Sequence, residues 1–214
     1  MAEEKIIKVV KEAMEKAPKR NFTESVELAF NLKDVDLSNP KNRITEEIIL
    51  PKGRGKDVKI GLFGTQEMVS KAKDIADLII LSEEISKMGE EKRDTKNKIE
   101  NIDFFVAEAP LMALVGKNLG VILGPRGKMP RPIPPGGDPT SLIENLRKTV
   151  KVRSKDKRTF HVAVGTRDMP TEDIADNIEA VVNRLRSKLE RGLQNIHTAY
   201  IKTTMGPSIK LELR

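Results

Sequence analysis

The chain has 214 residues, a length that fits one large domain or two small ones, and its 39 Lys and Arg against 32 Asp and Glu give a formal net charge of +7. It has no cysteine, which excludes disulfides and thiolate-ligated metals, and its two histidines supply little for a metal cluster or for imidazole catalysis. The positive charge favours a polyanionic partner, and thirteen Lys and Arg against eight Asp and Glu fall within residues 151–214.

No run of apolar residues in the sequence is long enough to span a bilayer. The charged N-terminal segment also lacks the apolar centre of a signal peptide. We therefore expect a soluble cytoplasmic protein that does not interact with a membrane.

The N-terminal segment predicts one helix and two strands. Apolar residues recur at helical spacing over residues 3–17, and residues 24–32 alternate strictly between apolar and other side chains. The expected core face of that strand carries Val26, Leu28, Phe30 and Leu32. A second strand is expected over residues 44–50. Because so few elements cannot bury a core in under about 60 residues, this segment needs a partner elsewhere in the chain.

The middle of the chain alternates strands and helices, as βαβ units do. The expected strands are 58–63, 78–81 and 104–107, and the expected helices are 66–76, 82–98 and 111–119. This pattern predicts a small parallel sheet with helices on its faces.

A proline-rich stretch over residues 120–138 is predicted to be an ordered, non-helical loop. Arg126, Lys128 and Arg131 make it positive. A stiff interdomain linker and a nucleic-acid contact are both consistent with this composition.

A basic run over residues 151–158 comes next. If it is extended, Lys151, Arg153, Lys155 and Lys157 share one side of a strand and form a stripe suited to phosphate, although such runs are also often solvated loops. Further cationic candidates are Lys41, Arg43, Lys52, Arg54 and Lys56.

The C-terminal segment supplies the partner that the N-terminal segment needs. We expect a strand over 159–165, a helix over 171–192 and a hairpin whose strands are 196–202 and 208–213. Residues 1–60 and 154–214 are therefore predicted to form one discontinuous α+β domain, with residues 61–153 inserted as an α/β domain.

The hairpin turn over residues 202–208 combines a flexible Gly206 with hydroxyl side chains, among them Thr204 and Ser208. If its strand shares a sheet with strand 24–32, the turn meets residues 22–27. Glu24 and Glu27 would then suit an RNA interface only as acceptors from a ribose 2′-OH or a base amino group, since phosphates repel them. The alternatives are an ordinary solvated turn and a solvated strand face.

Motifs of nucleotide-binding enzymes are absent from the sequence. Residues 61–64 lack the three-glycine dinucleotide spacing, and residues 127–129 lack the upstream glycine and the Ser or Thr of a phosphate loop. His161 lies in an alternating strand with no nucleophile or paired carboxylate nearby. We therefore expect no enzyme, no cofactor and no metal. A general basic RNA-binding or chaperone protein without a preferred site is the remaining alternative.

Four stretches resemble the large-subunit ribosomal protein L-one family and occur in the same order along the chain. Members of this family belong to the mobile stalk beside the tRNA exit site. The four stretches are residues 22–27, residues 122–127 with Pro130, residues 161–165 and residues 202–208. The loops 39–43 and 51–56 look like those of archaeal members. The resemblance implies a split α+β RNA-binding domain with an inserted Rossmann-like, three-layer α/β domain that carries no nucleotide.

The family's main RNA site maps onto residues from both stretches of the split domain: Phe22, Glu24, Ser25, Glu27, Thr204, Met205, Gly206 and Ser208. Asn21 departs from the lysine usual in bacterial members, and the middle loop is more basic than theirs. The resemblance implies a monomer off the ribosome whose partners are the large-subunit rRNA stalk, the protein's own mRNA as a translational repressor, and exit-site tRNA.

Overall fold

The computed structural model describes residues 2–73 and 75–213. The helices are α1 (Ala2–Lys16), α2 (Gln66–Ala72), α3 (Ser82–Glu90), α4 (Lys92–Glu100), α5 (Met112–Leu123), α6 (Thr140–Arg147) and α7 (Thr171–Lys188). The strands are β1 (Ser25–Leu32), β2 (Thr45–Ile49), β3 (Ile60–Gly64), β4 (Leu78–Leu81), β5 (Phe104–Glu108), β6 (Arg131–Ile133), β7 (Thr149–Arg153), β8 (Thr159–Thr166), β9 (Ile196–Thr203) and β10 (Ile209–Leu211). No helix within these ranges is both long and apolar enough to cross a membrane.

The chain forms two compact units. One combines the segment up to Lys56 with the segment from Lys148 onward, and the other is Asp57–Arg147. These limits differ from the expected boundaries at 60/61 and 153/154. The boundary expected at 153/154 lies earlier because β7 pairs with β2, so residues 149–153 belong to the first unit.

The first unit is built on an antiparallel sheet with the strand order β10-β9-β1-β8. Helices α1 and α7 contact each other and the sheet, and their apolar faces form one core with it. The expected inward face of β1 is confirmed, because all four of its apolar side chains are buried. Strands from both ends of the chain lie side by side, so this unit has the predicted α+β class.

The second unit is a parallel sheet with the strand order β4-β3-β5-β6. Two separate apolar clusters cover it. One joins the sheet to α3, α4 and α5, and the other joins it to α2 and α6. The predicted three-layer α/β architecture is confirmed.

Several local predictions in the second unit were wrong. The helix expected over 82–98 is two helices, α3 and α4, because Glu91 leaves helical geometry with φ −87° and ψ 62°. The stretch 120–138 is not wholly non-helical: α5 continues to Leu123, since its apolar side chains Leu119, Ile122 and Leu123 are buried, and β6 forms a strand further on. The helix expected over 66–76 ends at Ala72, and Asp74 lies outside the described residues.

Candidate nucleic-acid interface

The start of β1 and the turn after β9 meet at one end of the first unit. Val26 lies opposite Thr203 in the sheet, and Thr204 continues the pairing by donating its N–H to the Ser25 carbonyl oxygen at 3.0 Å. The Ser25 N–H donates in return to Thr204 Oγ1 at 3.1 Å. Two segments 179 residues apart in sequence therefore form one continuous surface.

Glu24 lies beneath this surface, not on it. Its side chain is fully buried, and Oε1 accepts the Met205 N–H at 2.9 Å and the Thr203 hydroxyl at 3.2 Å. Its other oxygen, Oε2, faces Arg167 Nη1 at 3.1 Å. The prediction that Glu24 accepts directly from RNA is contradicted, because the sheet and the turn enclose the carboxylate and satisfy it.

Arg167 compensates the charge of the buried Glu24 carboxylate. Besides Glu24, its guanidinium donates to the carbonyl oxygens of Met14, Ala17 and Pro18 at 3.0–3.1 Å, at the C-terminal end of α1. One side chain thus neutralises a buried acid and satisfies carbonyls that the helix end leaves open. Sequence reasoning missed Arg167. It is one arginine just after a strand, and only the sheet register reveals its partner.

Two large apolar side chains flank the junction and face solvent. Phe22 is 54% exposed and Met205 is 59% exposed, whereas most apolar residues of this unit are buried. Exposed apolar groups beside hydroxyl and carboxylate groups mark a binding surface better than either kind alone. The pairing of Ser25 with Thr204 places Phe22, Glu27 and Met205, their near neighbours in sequence, at the same end of the first unit.

Gly206 is required by the packing of the turn. A β-carbon at this position would collide with Thr203 Oγ1 and would come within 3.0 Å of the Ala17 β-carbon. The turn therefore needs a glycine here for its packing on the protein itself, and clearance for RNA at Gly206 stays a prediction. Ser208 is exposed on the far side of the turn, just before β10.

A basic loop lies beside the junction. Thr166, opposite Ser25 in the sheet, donates to the Gly55 carbonyl oxygen at 3.4 Å, which brings the loop carrying Arg54 and Lys56 to this end of the unit. The buried Asn177 fixes the loop: its amide donates to the Gly53 carbonyl oxygen and its Oδ1 accepts the Lys52 N–H. The loop therefore lies beside the candidate interface, where Lys56 is exposed and Arg54 is half-buried.

Other candidate cations lie at the opposite end of β8. The strand stripe proposed for residues 151–157 stops at Arg153, because Ser154 turns the chain and Lys155 takes a left-handed φ of 49°. Arg43 donates from Nε to the Leu37 carbonyl oxygen at 2.9 Å. The cations at this end, or on the adjoining β7, are Lys41, Arg43, Lys151, Arg153 and Lys155.

The basic residues of the middle loop belong to the second unit. Lys128 Nζ donates to the carbonyl oxygens of Ile99 and Glu100, at 3.2 and 2.9 Å, and so caps the end of α4. Burial lowers the pKa of Lys128 and also that of Arg131, on β6. Arg126 is exposed. Lys128 therefore has a structural role in the second unit, and its contact with nucleic acid stays a prediction.

Comparison with known proteins gives one consistent result. A sequence profile of the family described as "Ribosomal protein L1p/L10e family" matches residues 10–207. A protein of Thermoplasma acidophilum named "Large ribosomal subunit protein uL1" is 58% identical over 96% of this chain and 94% of its own length. Proteins with the same name from Methanocella arvoryzae and Haloquadratum walsbyi are 50% and 44% identical, over 99% and 96% of this chain and 100% and 97% of their own lengths.

Proposed function

Because the chain belongs to the ribosomal protein L1p/L10e family, we propose that it is a structural constituent of the large ribosomal subunit that binds the rRNA of the mobile stalk directly. As a component of the ribosome, the protein is cytoplasmic. The proposed RNA site is the junction of β1 with the turn between β9 and β10. We define it by the residues Phe22, Ser25, Glu27, Thr204, Met205 and Ser208.

The observation that supports this site most is the pairing of Ser25 with Thr204 between two exposed apolar side chains. The backbone of Ser25 holds the Thr204 hydroxyl in place: Oγ1 accepts the Ser25 N–H at 3.1 Å and donates to the Ser25 carbonyl oxygen at 3.3 Å, which also accepts the Thr204 N–H. Phe22 and Met205 provide apolar area for the face of a sugar or base. The fixed Thr204 Oγ1, which keeps a lone pair to accept with, and the neighbouring Ser25 hydroxyl suit RNA, whose 2′-OH both donates and accepts hydrogen bonds.

Glu27 is the carboxylate that we assign to RNA contact. It is half-buried on β1, two residues from Ser25, and its cross-strand neighbour is Lys202. A carboxylate in this position accepts from a 2′-OH or a base amino group and disfavours a phosphate, so it selects the orientation of the RNA. Glu24 contributes from beneath by holding the Met205 amide.

Two finer roles extend the proposal. An mRNA of the protein's own operon that folds into the same shape as the rRNA would occupy the same site, which makes the protein a translational repressor. On the ribosome, the stalk position would give the protein a part in releasing exit-site tRNA, with Arg126, Arg131 and Lys128 of the second unit as candidate contacts. Off the ribosome the protein would act as a monomer.

The test compares the affinity of the whole protein for a transcript of the stalk rRNA with its affinity for an unrelated hairpin, at low and raised salt. We expect strong preference for the stalk that persists as salt rises. Equal affinity for both transcripts would instead favour a general basic RNA-binding or chaperone protein.

Substitutions locate the site. We expect Thr204→Ala and Met205→Ala each to weaken stalk binding by about 1–3 kcal/mol while the fold remains intact. Met129→Ala is the matched control, because Met129 is also an exposed methionine but lies in the second unit. If Met129→Ala weakened binding as much as Met205→Ala, the proposed site would be wrong.

A further inference from the structure

The sheet of the first unit has a second face, opposite α1 and α7. Strand register arranges its side chains in three rows. The row nearest the proposed RNA site is Ala163, Glu27 and Lys202. The central row is His161, Ala29, Tyr200 and Lys210. The third row is Thr159, Asn31 and Thr198. We call these three rows the open sheet face.

The central row has the form of a stacking platform. Tyr200 is half-buried and His161 is exposed, with the small side chain of Ala29 between them. Adjacent strands are about 4.8 Å apart, so the two rings stand on backbones about 10 Å apart, with a shallow floor between them. A flat nucleobase fits this space, and bases stack on tyrosine and histidine rings in sheet-type RNA-binding proteins.

The surrounding rows supply polar and positive groups. Lys202 and Lys210 flank Tyr200 on β9 and β10, within reach of the backbone phosphates of a base stacked there. In the third row the Asn31 amide donates to Thr198 Oγ1 at 2.7 Å, and the Thr159 hydroxyl donates to Asn31 Oδ1 at 2.8 Å. This chain of hydrogen bonds fixes the amide and leaves the Thr198 hydroxyl with a proton to donate.

The face suits RNA better than a protein partner. Its aliphatic content is two alanines, whereas the centre of a protein interface requires larger apolar side chains. It is also continuous with the proposed RNA site, since Glu27 belongs to both. We infer that the open sheet face binds unpaired nucleotides that adjoin the stalk helix, with one base stacked on Tyr200. This inference rests on the proposed function and extends its site.

The experiment uses the whole protein and two stalk transcripts, one that retains its unpaired nucleotides and one from which they are trimmed. We expect Tyr200→Ala to weaken binding of the longer transcript by about 10- to 100-fold, the range for loss of one stacked base, and to leave binding of the trimmed one unchanged. Tyr200→Phe should bind the longer transcript like the native protein. Lys8→Ala, an exposed cation on α1, is the control.

A direct readout accompanies the affinities. The sequence contains one tyrosine and no tryptophan, so intrinsic emission comes from Tyr200 alone. We expect the longer transcript to quench this emission, the trimmed one not to, and ultraviolet cross-linking to join a nucleotide to Tyr200. The inference would be overturned if Tyr200→Ala bound the longer transcript with unchanged affinity, or if Tyr200→Ala and Tyr200→Phe lost equal affinity for it. Thr204→Ala would still test the proposed site separately. If neither transcript bound at all, the proposed function itself would fail.

Discussion

Replacing Arg167 by alanine tests whether one buried ion pair holds the proposed RNA site in shape. Glu24 has no exposed surface, whereas the Arg167 side chain is 25% exposed. Removing the arginine leaves a carboxylate enclosed without its cation and leaves three carbonyls near the end of α1 without their donor. Breaking a buried pair in this way typically costs about 3–5 kcal/mol, and we expect Arg167→Ala to lie in that range.

The assay is urea unfolding followed by Tyr200 emission. Tyr200 is the chain's single tyrosine and lies in the first unit, so its signal reports this unit and not the second. Arg184→Ala is the matched control, because Arg184 also pairs with a glutamate but its side chain is 54% exposed. Glu46 is only 12% exposed but keeps Lys188 Nζ at 3.1 Å, so losing the solvent-facing Arg184 should cost about 0–1 kcal/mol.

A double substitution separates pairing from bulk. In Glu24→Gln with Arg167→Met no buried charge remains, so we expect the pair of changes to cost clearly less than the sum of the single ones. Stalk affinity should follow the same order, since Glu24 holds the Met205 amide. A loss below about 1 kcal/mol for Arg167→Ala, or additive single effects, would refute the reasoning.

Three further predictions concern the same unit. Gly206→Ala should destabilise it by about 1–3 kcal/mol in urea, because the added methyl group enters space held by the turn and the end of α1. A hydrogen bond from Arg184 lowers the pKa of Glu46, so the stabilisation by its carboxylate is full above the unfolded pKa and is lost as pH falls through the folded pKa. The cost of Glu46→Gln, about 1 kcal/mol at pH 7, should therefore shrink in urea titrations as pH falls below the unfolded pKa and vanish below the folded one. Lys56→Ala should flatten the salt dependence of stalk binding by about one unit, whereas Lys155→Ala should do so only with RNA that reaches the other end of β8, about 25 Å away.

The elements with strong periodicity could be predicted from the sequence. The alternation of residues 24–32 identified β1 and its buried face, and the spacing of Ile174, Ile178, Val181 and Leu185 identified α7. The break at Glu91 and the helical turn from Gly120 to Leu123 could not be predicted. Both depend on how side chains pack in the second unit, and local propensity argued for the opposite result.

The candidate site was predictable in its location but not in the role of each residue. The turn chemistry of 203–208 and the alternation of β1 were visible in the sequence. The direction of each glutamate side chain was not, because Glu24 precedes the regular strand and its orientation depends on Arg167, 143 residues later. A polar residue next to an alternating run therefore remains ambiguous until its partner across the sheet is known.

Acidic residues at an RNA-binding surface require an explanation, because phosphates repel them. This chain places three of them at the junction and treats each one differently. Glu24 is buried and paired with Arg167, so its charge is neutralised within the protein. Asp168 accepts the Thr23 hydroxyl at 2.9 Å, and Glu27 has Lys202 as its cross-strand neighbour. Of the three, Glu27 alone is both partly exposed and within the sheet, two residues from Ser25. If acids there served only solubility, Glu27→Gln would raise stalk affinity by removing repulsion. Because we assign Glu27 to a 2′-OH or amino group, we expect the opposite result, a loss of about 1–3 kcal/mol, measurable with the same transcripts.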